Sequence, residues 1–167
     1  ASYISLGELV KEEKLYSGIN GKRGSLVASV NKVSKRVNQM ISSSERDTVV
    51  DGHYAPDVIT KNTVRLVFVL RRNPEELKTV LEERGFKGEK LWENLAAEIL
   101  DACLCDAVSR CGAGKVCEID VTSRSAEEVV NDMISTINNE KECRTGQVDW
   151  LGRLEAEGKL DTYLRHF

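Results

Sequence analysis

The chain has 167 residues, 41% apolar and 31% charged, with a formal net charge of −3 at pH 7. That length supports one domain with a hydrophobic core, in ordinary globular proportions. The slight acidity excludes strong non-specific nucleic-acid binding, and the lack of an apolar run of roughly 18 residues excludes a helical membrane span. Residues 1–6 (ASYISL) read as the end of a short strand, and 7–18 (GELVKEEKLYSG) as a charged helix stopped at Gly18. A Gly-rich basic loop follows at 19–25; its NGKRG core (20–24) suits phosphates and equally suits a solvated loop. Leu26, Val30, Val33, Val37 and Ile41 recur at three and four, which predicts an amphipathic helix over 26–41. Residues 46–51 and 63–70 read as strands, the second apolar enough to be covered on both faces.

Asn73 caps and Pro74 opens a helix over 73–84. The break GFKG (85–88) separates it from a long helix over 89–110, with Leu91, Leu95, Ile99 and Ala102 on one face. Residues 115–121 form a strand, and Ser125 with Glu128 makes a capping box for a helix over 125–138. After the polar stretch NNEKECRTGQ, residues 148–167 form a separate amphipathic unit. Alternating strands and helices predict an α/β chain, a parallel sheet with helices on both faces.

In such sheets ligands sit at the carboxyl ends of strands. Asp51 closes the apolar strand in VVDGH (49–53), where a carboxylate suits Mg²⁺ beside phosphates, and His53 follows across Gly52. The competing reading is a turn whose polar groups satisfy backbone amides. The stretch CGAGKVC (111–117) has a phosphate-loop look. It lacks the first glycine and a Ser or Thr after Lys115, and it leads into a strand, so it reads as a helix-ending turn. Five cysteines, none in a Cys-x-x-Cys pair, fit reduced thiols in a cytoplasmic protein. Cys103 and Cys105 fall on different helix faces, which disfavours a shared metal; with Cys111 and Cys117 they read as small apolar core groups. Trp92 suits a lid or a core, and His166 an exposed terminus.

SLGELVKEEKLY, VVDGH, LVFVLRRNPEELKTVLEERGFKGEKLWENLAAEI and IDVTSRSAEEVV resemble, in order and spacing, the archaeal proteins called putative adenylate kinases. These are related to the eukaryotic adenylate kinase isoenzyme 6. The resemblance covers about residues 2–138, with ERGFKGEKLWEN its most specific part. It implies a P-loop nucleoside monophosphate kinase-like, three-layer α/β fold with a parallel sheet. Residues 1–138 would be the kinase domain, with a monophosphate-binding arm at about 5–28 and a lid at about 83–94; 139–167 would be a C-terminal helical extension.

The implied reaction is ATP + AMP to two ADP, with Mg²⁺ as cofactor. ATPase activity, a role in small-subunit ribosome maturation and a small-subunit ribosomal protein as partner are implied with it. Asp51 would organise Mg²⁺, directly or through water, and His53 would support phosphoryl transfer or hydrolysis. Arg84 and Arg124 would meet ATP, and Lys11 and Ser5 would meet AMP. Lys11 stands where the family often has an arginine, and it supplies charge without the bidentate fork. The family's opening strand, Gly-rich loop ending Gly-Lys-Thr or Gly-Lys-Ser, and helix do not stand ahead of SYISLGEL. The expectation is therefore a chain that begins after that unit. The alternative is an assembly module that binds a ribosomal protein, with nucleotide turnover as a switch or absent.

Overall fold

A computed structural model describes residues 1–20 and 25–165. The basic stretch 21–24 and His166 therefore lie outside the described residues. The chain divides into two compact units, Ala1–Val64 and Arg65–Phe167.

In the first unit, strand β1 (Ser2–Ser5) runs straight into helix α1 (Leu6–Glu12), whose Leu6, Leu9 and Val10 are buried. The helix stops well short of Gly18. Lys14 adopts a left-handed φ of 54°, and the Leu15 N–H returns to the Val10 carbonyl at 3.0 Å, a Schellman-type closure. The chain then continues as strand β2 (Tyr16–Asn20), antiparallel to β3 (Ser25–Ala28). The helix expected from residue 26 thus begins later, as α2 (Val30–Ser42), because 26–28 are taken by the hairpin.

Strand β4 (Thr48–Asp51) pairs in parallel with β1, Ser5 opposite Asp51, and α3 (Ala55–Val58) follows. Ile4, Leu6, Leu9, Val10, Val33, Val37 and Val58 form the core. Each large side chain there stabilises by about 1.5–3 kcal/mol relative to exposure. Asn38 fixes α3 on α2: its amide donates to the Val58 carbonyl at 2.8 Å and its oxygen accepts the Thr60 N–H at 2.9 Å.

The second unit opens with β5 (Val67–Arg71) and α4 (Pro74–Glu83), whose cap Asn73 accepts the Glu75 N–H at 2.8 Å as expected. The predicted long helix is two helices, α5 (Glu89–Ile99) and α6 (Ala102–Cys111). Asp101 between them takes φ 56°, which breaks the helical ladder and turns its carboxylate to Arg71. Gly112, at φ 89°, ends α6, so CGAGKVC is the helix-ending turn that its sequence suggests.

Strand β6 (Val116–Asp120) lies parallel to β5, and α7 (Ala126–Ile137) carries the expected capping box. Helices α8 (Trp150–Ala156) and α9 (Leu160–Leu164) close the chain. Leu154 and Tyr163 share a core with Leu81, Leu91, Leu95 and Ile99, and Trp92 packs against it. Among the described residues parallel pairing is present as expected, as β1 with β4 in the first unit and β5 with β6 in the second, while β2 and β3 form an antiparallel hairpin; the single sheet expected is not what pairs. Among the described residues no helix is long and apolar enough to cross a membrane.

The cysteine reading is corrected. Cys117 of β6 and Cys143 form a disulfide, with Cα atoms 4.8 Å apart. The segment after α7 returns along β6, where the Glu118 N–H donates to the Arg144 carbonyl at 2.8 Å, and this brings the two thiols together. Cys103 and Cys105 are exposed rather than core groups, and only Cys111 is a buried thiol.

Candidate functional site

The first unit gathers two of the expected residues at the carboxyl ends of its parallel pair. Ser5 and Asp51 are register partners, each the last residue of its strand. Tyr3 sits on the same face two residues earlier. Its hydroxyl donates to Asp51 Oδ2 at 3.2 Å, and desolvation together with the Asp51 charge holds its phenol above the ordinary value. The Asp51 carboxylate is exposed.

Gly52 then turns the chain at φ 155°, against Leu6. A Cβ there would stand 2.8 Å from Leu6 Cδ1, so only glycine lets the strand end lie on the start of α1. His53, exposed, follows the turn with its ring edge-to-face on Tyr54 at 5.0 Å. Ser5 also caps α1, its Oγ accepting the Glu8 N–H at 3.5 Å. Lys11 is exposed in the last turn of α1, about 9 Å along the axis from Ser5 at 1.5 Å per residue, so one helix length separates those two.

Hard oxygen donors at the end of a strand fit Mg²⁺, which binds through one or two carboxylates, waters and phosphates rather than in an all-protein cage. Among the described residues no cluster of three or more His, Cys, Asp or Glu could hold a metal ion.

In the second unit, Arg84 ends α4 and is exposed, at the start of a turn held open by Gly85 (φ 82°) and Gly88 (φ 56°). Phe86 in this turn is half-buried against the core, with the Lys90 ammonium 4.6 Å from its ring centre. Arg124 is engaged otherwise. Its guanidinium bonds Asp132 Oδ2 at 2.8 Å, the Glu128 carbonyl at 3.2 Å and the Asp120 carbonyl at 3.3 Å, tying the end of β6 to α7.

The sequence reading missed a buried charge cluster at the carboxyl end of β5. Arg71, 1% exposed, donates from Nε to Glu98 Oε1 at 2.9 Å, from Nη1 to Glu118 Oε1 at 2.6 Å and from Nη2 to Asp101 Oδ1 at 2.5 Å. Burial opposes its charge, but Glu98 and Asp101 outweigh burial and raise its pKa. The same Glu98 oxygen accepts the Trp150 indole N–H at 2.8 Å, and Glu118 Oε2 accepts the Gln147 N–H at 2.7 Å. The available signal was an arginine closing the apolar run Val67–Leu70, which requires carboxylates to meet it if it is buried.

No protein-family model matches the chain. Curated archaeal proteins do match it. It is 40% identical over 151 residues to a protein of Methanocaldococcus jannaschii named "Putative adenylate kinase", covering 88% of this chain and 77% of that protein. Proteins of the same name from Methanosarcina acetivorans and Methanothermobacter thermautotrophicus are 35% and 36% identical, with 83% and 84% of their lengths covered.

Proposed function

From this chain's membership of the archaeal family named "Putative adenylate kinase", we propose that it is a nucleoside monophosphate kinase that converts ATP and AMP to two ADP with Mg²⁺. The observation that carries the reading is the pairing of Ser5 with Asp51 at the carboxyl ends of parallel strands, followed at once by the Gly52 turn and His53. Such strand ends are where α/β folds hold nucleotides. Mg²⁺, when bound, neutralises phosphate charge as the phosphoryl group moves.

Asp51 is the residue that would hold the ion. Its exposed carboxylate, steadied on one oxygen by Tyr3, leaves the other free to face it or one of its waters. Ser5 hydroxyl and Lys11 ammonium supply donors and charge toward AMP. Arg84, exposed beside a glycine-hinged turn, supplies a planar fork for ATP phosphates. Arg124, already bound to Asp132, serves ATP by fixing the β6–α7 turn and reaches phosphate only by leaving that pair.

The wider reading, a P-loop kinase fold with ATP hydrolysis and small-subunit ribosome maturation through a ribosomal-protein partner in the cytoplasm, rests on the resemblance of residues 2–138. Within the 167 residues there is no Gly-x-x-x-x-Gly-Lys followed by Ser or Thr, the loop whose amides cradle phosphates. The test is ADP formation from ATP and AMP by a protein with a strand, such a loop and a helix joined ahead of Ala1. The 167 residues alone are the comparison, and they should bind Mg-ATP weakly in calorimetry. Asp51→Asn should remove most turnover with every nucleotide, and Arg84→Ala should lower turnover more than AMP binding. Full activity in both variants would overturn the site.

A further inference from the structure

The segment after α7 is fastened to the second unit by one covalent bond and a small set of contacts. Cys143 is bonded to Cys117; beyond it, Arg144 and Gln147 engage Glu118, and Trp150 reaches Glu98. Helices α8 and α9 then lie on the α4–α5 hairpin. Leu154 (3% exposed) and Tyr163 (7%) enter its core, Tyr163 meets Trp92 edge-to-face at 6.3 Å, and Lys159 bonds Glu75 at 2.7 Å. Only six residues of chain separate Cys143 from Trp150, so release at the disulfide is felt directly by α8.

The two half-cystines differ in access. Cys117 is 2% exposed, within β6. Cys143 is half-buried and forms part of the wall of an open hollow of about 550 Å³, with Arg65, Leu66, Gly114 and Lys141. The wall carries both signs of charge, Arg65 and Lys141 with Glu140 and Glu142, so it is the open access to one half-cystine that favours attack there by a thiolate.

We propose that Cys117–Cys143 is a thiol–disulfide exchange site, opened at Cys143 by a dithiol reductant, and that it latches residues 139–165 onto the α4–α5 hairpin. The thiolate of the dithiol attacks Cys143 Sγ, the S–S bond breaks, and Cys117 leaves as a thiolate that takes up a proton. The second thiol of the dithiol attacks the mixed disulfide and frees Cys143, which takes up the second proton. The dithiol is oxidised to its own disulfide, and its two electrons pass to the cystine.

With the latch open, α8 and α9 are held only by their own contacts, and the locally open state of this strap rises in population. The hairpin they cover carries Arg84, so on the kinase reading above the latch also sets how firmly that arginine is presented; the exchange chemistry itself does not depend on that reading.

The experiment is hydrogen exchange read by mass spectrometry on the full 167-residue chain, with and without dithiothreitol, alongside a thiol count. The untreated chain should show three free thiols and the treated chain five. Reduction should speed exchange at least tenfold in α8 and α9 and several-fold in α5, while peptides of residues 1–64 stay unchanged. Cys143→Ser should reproduce the reduced pattern and be indifferent to dithiothreitol, and Cys111→Ser should behave as the parent. Five free thiols without reductant, or unchanged exchange in α8 and α9 on reduction, would overturn the proposal. Because no nucleotide or activity enters the measurement, it can fail while the kinase assignment stands, and the reverse.

Discussion

At Gly52 a single missing Cβ decides whether the strand carrying Asp51 can finish where it does. An added methyl would stand 2.8 Å from Leu6 Cδ1 and 3.0 Å from Leu6 Cβ, and Leu6 is completely buried, so it has nowhere to yield. Overpacking of this kind typically costs about 1–3 kcal/mol, and the backbone angle of 155° adds to it. Gly52→Ala should therefore lower the denaturation midpoint of the first unit measurably and disturb the Tyr3–Asp51 bond; Gly7→Ala, where nothing lies within 4 Å, is the control. Equal midpoints for both variants would refute the packing argument. The place of Asp51 at a strand end was legible because a carboxylate closing an apolar strand is a pattern along the chain. Tyr3 was not, because its contact with Asp51 spans 48 positions. Arg124 was legible as a cation but not as one already bound to Asp132, a pairing made only once α7 has folded.

Local sequence rules set the beginnings of helices well and their ends poorly. The α4 cap at Asn73 and the α7 capping box were both readable from side chains a few residues apart. The stops at Lys14 and Asp101 were not, because each is a non-glycine residue at positive φ, a conformation its residue type does not announce. The α7 cap also gives a pH dependence. Ser125 bonds hold Glu128 below its ordinary value of 4.5. Ser123 does the same for Glu76, and Lys141 followed by Arg124 does so for Asp132. A depressed carboxylate pKa stabilises the fold above the unfolded value, and the contribution is lost as pH falls through the lower folded value. Thermal melts should thus be flat from pH 7 to about 5 and decline progressively below about 4.5, the unfolded glutamate range. Ser125→Ala should cost about 1 kcal/mol at neutral pH and reduce the acid dependence. A melting temperature that rises on acidification would contradict the sign.

Across the whole molecule, long-range ties set what the local patterns could not announce. The disulfide spans 26 positions; chain-entropy arguments put its stabilisation at about 3.5 kcal/mol for a loop of that size. The Arg71 cluster spans further, joining β5, the α5–α6 junction, β6 and the C-terminal strap through one guanidinium and three carboxylates. Glu118 and Arg71 are almost fully removed from water, so each is affordable only with the other present. Arg71→Met keeps the apolar stem but removes the cation that Glu98, Asp101 and Glu118 all bond. The expected loss is about 3–5 kcal/mol, the range for removing one partner of a buried pair. It should appear first at Trp150, whose indole bonds Glu98, as a red-shifted emission and faster exchange in α8. Adding Glu118→Gln to Arg71→Met should recover part of the loss, because the stranded charge is gone while the amide oxygen still accepts the Gln147 N–H. If the double variant is less stable than the single by the full cost of Glu118→Gln alone, the two residues are not energetically coupled and the cluster is not what holds the strap.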